Sequence, residues 1–448
     1  MQALMLFCLP AATLSEYAAL KWALPGWFKF VPDMLSGLIA IATVLLAVRK
    51  GFTRVAPKYW IAFTLAVIVI ICGAFSNSVG AGPILMGMRY YLRPIPLFLF
   101  PAMARFTEQQ LQQQLKLMLG LGFLQIPFAV FQRYIVLSEG RYTGDEVVGT
   151  LVESGVLSIA LLCIVLVLTG FFLHKRIEKK YFFAAFLLLL IPTTINETKA
   201  TVVLLPAGLL TAVLLAAPPK RRLRIFGLGV ALLAVFGAIL VPIYDAMEAH
   251  NPYKNEKHLM DFFTNEQNFD KYMAGKGAGI GATVGVRRGD AIRIPVEYMS
   301  RDPVRLAFGL GIGNASHSSL GENYSGDYYK LFEKVGVTSF AVFLLEIGIL
   351  GSGAVFLLYW FVFTDSVVVA KSDTTTVGAL AAGWTGVVPI MGLATFYITT
   401  HMFASLSYLY WYFSGVVAAR RSELAIEARE ARSSAKHVTV ESDMRQRA

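Results

Sequence analysis

Residues 285–336 read GVRRGDAIRIPVEYMSRDPVRLAFGLGIGNASHSSLGENYSGDYYKLFEKVG, and residues 337–351 run straight on into VTSFAVFLLEIGILG. This is the densest part of a polar insert, from about Tyr244 to Val335, in a chain that is otherwise almost continuously apolar. Hydrophobic residues make up 56% of the 448 and charged residues only 15%, and the mean hydropathy is +0.59. A soluble domain of this length needs far more charge to cover its surface. Runs of about 18 or more apolar residues recur on both sides of the insert, each long enough to cross a ~30 Å hydrocarbon layer. The expected fold is an all-α polytopic membrane protein of about twelve transmembrane helices with one large outer loop.

Working outward from the insert, basic clusters fall at every second loop: RKGFTRVAPK at 49–58, HKRIEKK at 174–180, PPKRRLR at 218–224 and the tail from AARR at 418. Short loops rich in Lys and Arg mark the cytoplasmic side, so both termini are expected there and the insert outside. The net charge of +11 is accounted for in this way and by contact with anionic headgroups, not by nucleic acid. The chain divides into N-terminal membrane helices (1–244), the outer loop with the candidate active-site residues (245–335), C-terminal membrane helices (336–418) and a cytoplasmic tail (419–448). The N-terminus has no positive start of the signal-peptide kind and reads as a retained helix. EQQLQQQ (108–114) is expected to form an interfacial turn before a crossing from Leu115. Residues 84–104 are expected to cross as one run.

Cys8, Cys72 and Cys163 lie in apolar runs with no metal-ligand spacing, and His250 and His258 have no companions, so neither a metal nor a cofactor is expected. The glycine-rich loop GKGAGIGATVGV (275–286) follows no strand and is a weak nucleotide fingerprint, although its backbone N–H groups suit an anion. Charges within membrane helices are costly unless paired or hydrated, which singles out Arg89 and Arg93 (MRYYLRP), Glu197 and Lys199 at the INETKA hairpin, and Glu346. A guanidinium near headgroup level binds a lipid diphosphate well, because its planar fork matches phosphate oxygens. The alternative is an internal pair such as Arg93 with Glu346. Within the insert, Arg287, Arg288 and Arg293 are candidate anion ligands. Arg301 and Arg305 read better as a solvated face, with Glu297 placed to pair with Arg301 on a short helix starting at Pro295. His317, in a glycine-rich turn expected to be partly exposed, is a candidate general base, with Glu333 and Glu322 as rivals. Gly348, Gly351 and Gly353 allow close helix contact.

Four stretches together resemble the O-antigen polymerase and O-antigen ligase superfamily. They are MRYYLRPIPLF (88–98), GRYTGDEVVGTLVESGVLS (140–158), NETKATVVLLP (196–206), and the insert's Arg288 followed by DPVRLAFGLGIG (302–313) and Glu346-Ile-Gly348-Ile-Leu-Gly351. The second stretch is similar to a Gly-Arg-x-x-Gly pattern of the family and highlights Arg141. Two departures stand out. Thr198-Lys199 occupies the place of the usual Ser-Arg, and Val337 stands where a His-Asn pair often precedes the closing glutamate, which gives Glu333 weight against His317 as the base. The resemblance implies a metal-independent, inverting glycosyltransferase of the bacterial inner membrane. Its substrate would be a glycan on polyprenyl (undecaprenyl) diphosphate, polymerised into an O-antigen, capsule or exopolysaccharide, or passed to another acceptor as a ligase does. Arg288, Arg89 and Lys199 would then steady the departing diphosphate. Membrane lipids and other assembly proteins, such as a chain-length regulator, would be the partners. From another class, a transporter or flippase is the rival, although the chain lacks the two related halves common among transporters.

Overall fold

The computed structural model describes residues 1–22, 24–51, 55–136, 144–216, 222–248, 286–318, 320–321 and 324–447. Among them there is no strand. The first half runs α1 (Gln2–Lys21), α2 (Val31–Lys50), α3 (Pro57–Ser76), α4 (Ala81–Tyr91), α5 (Pro94–Ala104), α6 (Glu108–Phe131), α7 (Ser154–Leu173), α8 (Lys179–Ile195), α9 (Ala200–Ala216) and α10 (Arg222–Glu248). The insert contributes α11 (Arg288–Met299), α12 (Pro303–Phe308) and the single turn α13 (Tyr329–Phe332). The chain closes with α14 (Ser339–Ser372), α15 (Thr376–Ala394) and α16 (Ala404–Arg447). Seven of the described helical segments are long and apolar enough to cross a membrane, and α5 and α9 are shorter apolar helices. The architecture is that of an all-helical polytopic membrane protein.

α7 and α15 form the centre. α7 is buried without interruption from Ser154 to Ile159 and again from Leu161 to Gly170, as expected of a helix hydrophobic all round. α15 approaches it through small residues: a Cβ on Gly383 would collide with the Leu166 carbonyl. Where lipid is as apolar as leucine, such close backbone contact is a main source of helix association.

The two ends of the bundle differ. At one, Lys58 pairs with Asp365 at 2.6 Å, Arg420 with Asp373 at 3.1 Å and Arg176 with Glu108 at 3.2 Å. At the other sits the insert, over a second apolar cluster that includes Ala291, Ile294, Met299, Leu310, Phe332 and Leu345.

Several expectations are corrected. Residues 84–104 form two helices rather than one run. Pro94 and Pro96 have no N–H to continue α4, so the chain breaks at Leu92–Arg93 and restarts with Pro94 at the first turn of α5. The glutamine-rich stretch is no connector. It is the first two turns of α6, started by a capping box in which Thr107 and Gln110 exchange hydrogen bonds. Gln114 is fully buried, donating to Gln2 (2.8 Å) and accepting from the Tyr412 hydroxyl (2.6 Å). Pro295 does not open a helix but lies inside α11, whose buried face (Ala291, Ile294, Met299) offsets the bond that the proline cannot donate.

Candidate functional site

The insert end is organised by a backbone segment that enters the bundle. From Gly309 to Ser316 every residue is buried, so the expected exposed turn is corrected. Gly309, Gly311 and Gly313 all have positive φ, at 79°, 92° and 71°. Gly309 lies against α14 where it is broken, while Gly311 packs beside Gly73 and Gly313 beside Pro83; at the break Gly348 adopts φ 62° and ψ −168°, outside the helical region. A break frees carbonyls of the preceding turn. The Leu310 N–H donates to the Leu345 carbonyl at 2.6 Å and the Gly311 N–H to the Glu346 carbonyl at 3.0 Å. The Asn77 side chain donates to the Gly309 carbonyl at 2.9 Å. Irregular backbone at this depth is tolerable only when its polar groups are met in this way.

Glu346, placed by the same break, points its carboxylate into the loop. It accepts from the Ser316 hydroxyl and from the Ala315 N–H at 3.2 Å, both through Oε1. It is therefore a clamp on the loop and not the partner of Arg93. Among the three glycines expected to allow close helix contact, Gly353 has open space around it and Gly351 lies against its own Ile347 side chain; only Gly348 meets another segment, the Ala307–Gly309 backbone.

Arg89 and Arg93 converge on Asp33, near the start of α2. Arg89 Nε lies 2.7 Å from Oδ2 and Arg93 Nη1 3.2 Å from Oδ1. Arg93 is 4% exposed, and its Nη2 also donates to the carbonyls of His401 (3.1 Å) and Met402 (3.2 Å). The Arg89 guanidinium lies over the rings of Phe30 and Tyr90. Lys199 lies elsewhere, in a small cavity shared with Glu197, Thr198 and Tyr244 that neither Arg89 nor Arg288 lines. Glu197 itself is held by Arg133 at 2.9 Å.

Arg288 opens α11 half-buried, with its guanidinium carbon 5.4 Å from the centre of the Tyr397 ring. Its Nε is buried and has no acceptor among the described residues. Glu153, immediately before α7, lies within electrostatic range of Arg288 without forming an ion pair. Burial pushes the Glu153 carboxyl above its usual range and Asp145 adds to the rise, while the Arg288 guanidinium draws it part of the way back. Perturbed carboxyls cluster at functional sites, which makes Glu153 and Arg288 candidates for one.

Arg89, Lys199 and Arg288 thus have three different sets of partners. Arg287 is exposed. Arg293 is exposed too and bonds Asp290 (3.0 Å) and Glu297 (2.8 Å), so Glu297 pairs four residues back rather than with Arg301. His317 is exposed, edge-on to Tyr329 with ring centres 5.3 Å apart, and Glu333 is exposed beside Lys334. Arg141, Glu322, His250, His258 and all of the 275–286 loop but Val286 lie outside the described residues.

Asp33, Glu153 and Tyr397 were not singled out in the sequence. Glu153 had a signal: it lies within the GRYTGDEVVGTLVESGVLS stretch and directly before the most apolar run. No group of three or more His, Cys, Asp or Glu side chains among the described residues is placed to hold a metal. No protein-family model matches the chain, and no curated protein matches it.

Proposed function

We propose that this protein is a membrane glycosyltransferase of the O-antigen polymerase and ligase type. In this reading it crosses the bacterial inner membrane about twelve times, with α4–α5, α8, α9, α10 and α16 completing the passes and both termini in the cytoplasm. It joins polyprenyl-diphosphate-linked repeat units into an envelope polysaccharide at the outer face.

One observation carries the proposal: the half-buried Arg288, its Nε without an acceptor among the described residues, over Tyr397 and within electrostatic range of Glu153. The departing group in such a transfer is a diphosphate, on which negative charge grows as the glycosidic bond breaks. A fixed guanidinium in a site of low dielectric stabilises that charge more in the transition state than in the ground state. The acceptor sugar's hydroxyl must lose a proton as it attacks. A carboxylate whose proton affinity burial has raised suits that task better than an exposed one, so Glu153 joins His317 and Glu333 as a candidate base and is favoured by its position. Arg287, next to Arg288 in the chain, is a further cation for diphosphate or glycan, Lys199 stands apart in its own cavity, and Arg89 and Arg93 act through Asp33 to hold the rim on which the substrate rests.

The experiment is mass spectrometry of lipid-linked glycans from cells with and without the protein. Loss of the protein should deplete long polymer and accumulate single repeat units on the lipid carrier. Normal polymer length without that accumulation rules out the polymerase. Loss of transfer to a distinct acceptor with polymer length intact assigns the ligase reading instead.

A further inference from the structure

The opposite, basic end of the bundle contains a feature that the transfer reaction does not use. Where α3 begins, beside the last turns of α14 and the continuation of α16, there is an open cavity of about 340 Å³. Lys58, Arg421 and Arg429 line it, with Asp365 as the only acidic side chain in its wall among the described residues. Asp365 is already engaged: Oδ1 takes Lys58 at 2.6 Å and Oδ2 takes the Tyr59 hydroxyl at 2.7 Å. Arg421 is left 3.9 Å from Oδ1, and Arg429 is exposed with no acidic partner among the described residues. Three cations against one committed carboxylate leave two guanidinium groups able to take an anion.

The rest of the wall narrows what that anion is. Val55, Ala56, Pro57, Ala425 and Ile426 are apolar, and Ile426 is exposed. The cavity lies at the start of α3, a helix apolar and long enough to cross a membrane, and so at the level where hydrocarbon gives way to headgroups. A cavity with charge at its mouth and greasy walls at that depth fits a molecule that is both. Guanidinium forks bind phosphate oxygens in pairs, and basic pockets between membrane helices hold acidic headgroups.

We propose that this cavity binds the phosphodiester headgroup of an acidic phospholipid, with Arg421 and Arg429 as its ligands and Lys58, fixed by Asp365, completing the field. The site is independent of the proposed transfer reaction. A lipid seated there ties the start of α3 to the end of α14 and the outgoing α16.

The test uses the full chain, purified in detergent and titrated with phosphatidylglycerol, cardiolipin or phosphatidylcholine under native mass spectrometry. The wild-type protein should retain the two acidic lipids over phosphatidylcholine. The Arg421→Gln/Arg429→Gln variant should bind them about thirtyfold more weakly, and Arg421→Lys/Arg429→Lys, which keeps the charge but loses the paired bonds, should fall between that variant and the wild type. Unchanged elution and melting temperature in the Gln variant show that the loss is local. Equal retention of all three lipids, or undiminished acidic-lipid binding by the Gln variant, overturns the proposal. So does displacement of the lipid by glycerol phosphate at matched concentration, which would make the ligand a water-soluble phosphate ester.

Discussion

The Glu346 carboxylate accepts a hydrogen bond from Ser316, a residue thirty positions upstream in the insert. That bond ties the broken helix α14 to the loop that fills the break. The loop in turn carries the chain from α12 toward His317 and α13, so the position of the insert over the bundle depends on the geometry at Gly348.

Gly348→Ala should therefore destabilise the protein. Its φ of 62° is disfavoured for any side chain, and a Cβ there would stand 2.5 Å from both the Ala307 oxygen and the Gly309 nitrogen. The expected cost is ~2 kcal/mol or more. Gly353→Ala, five residues on in the same helix with open space around it, should be neutral or stabilise by up to ~1 kcal/mol. Thermal unfolding of both variants in detergent checks the contrast; equal melting temperatures would contradict it.

Asp33 holds two arginines, one of them nearly devoid of solvent contact. Asp33→Ala leaves Arg93 buried against only the His401 and Met402 carbonyls and should cost about 3–5 kcal/mol. Adding Arg93→Met should restore part of that loss, because the uncompensated charge is gone. A double-mutant cycle measures the coupling, and strict additivity would refute the pairing as a stabilising element.

If Glu153 is the base, transfer requires it ionised, and activity falls on the acid side as it takes up a proton. Burial raises its proton affinity, so the acid limb should lie above the ~4.3 of an ordinary glutamate. Arg288 lowers that affinity, so Arg288→Ala should move the limb of the residual activity to higher pH. His317→Ala and Glu333→Gln should leave the limb where it is. An acid limb that vanishes with His317→Ala assigns the role to the histidine instead. The pH profile of transfer by purified protein decides among the three.

Much of this fold was legible because hydropathy acts locally. α3, α7 and α15 lie within a few residues of the runs that an apolar count marks out, and the capping box of α6 is spelled in Thr107 and Gln110. What was not legible depended on partners distant in the chain. Nothing near Arg93 announces Asp33, sixty residues earlier, so Glu346 was a fair guess for its counter-ion. Polar flanks made 309–313 look like a surface turn; only the break at Gly348 explains how so polar a backbone comes to be buried. Pro295 favours a helix start locally, and tertiary packing of the Ala291 and Ile294 face overrides it. Arg288 was picked out for its charge, but Glu153, more than a hundred residues earlier, acquires meaning only once the fold brings it within range of that charge.

The most direct test is a single reaction: purified wild-type protein and Arg288→Ala, each incubated with an oligosaccharide repeat unit on polyprenyl diphosphate, with products sized by mass spectrometry. The account predicts that the wild type makes longer lipid-linked glycans and releases polyprenyl diphosphate. The variant, folded and melting as the wild type does, should be slower by about 10²-fold or more. Longer products formed at the wild-type rate by Arg288→Ala would contradict it, as would a wild-type protein that leaves every donor unextended.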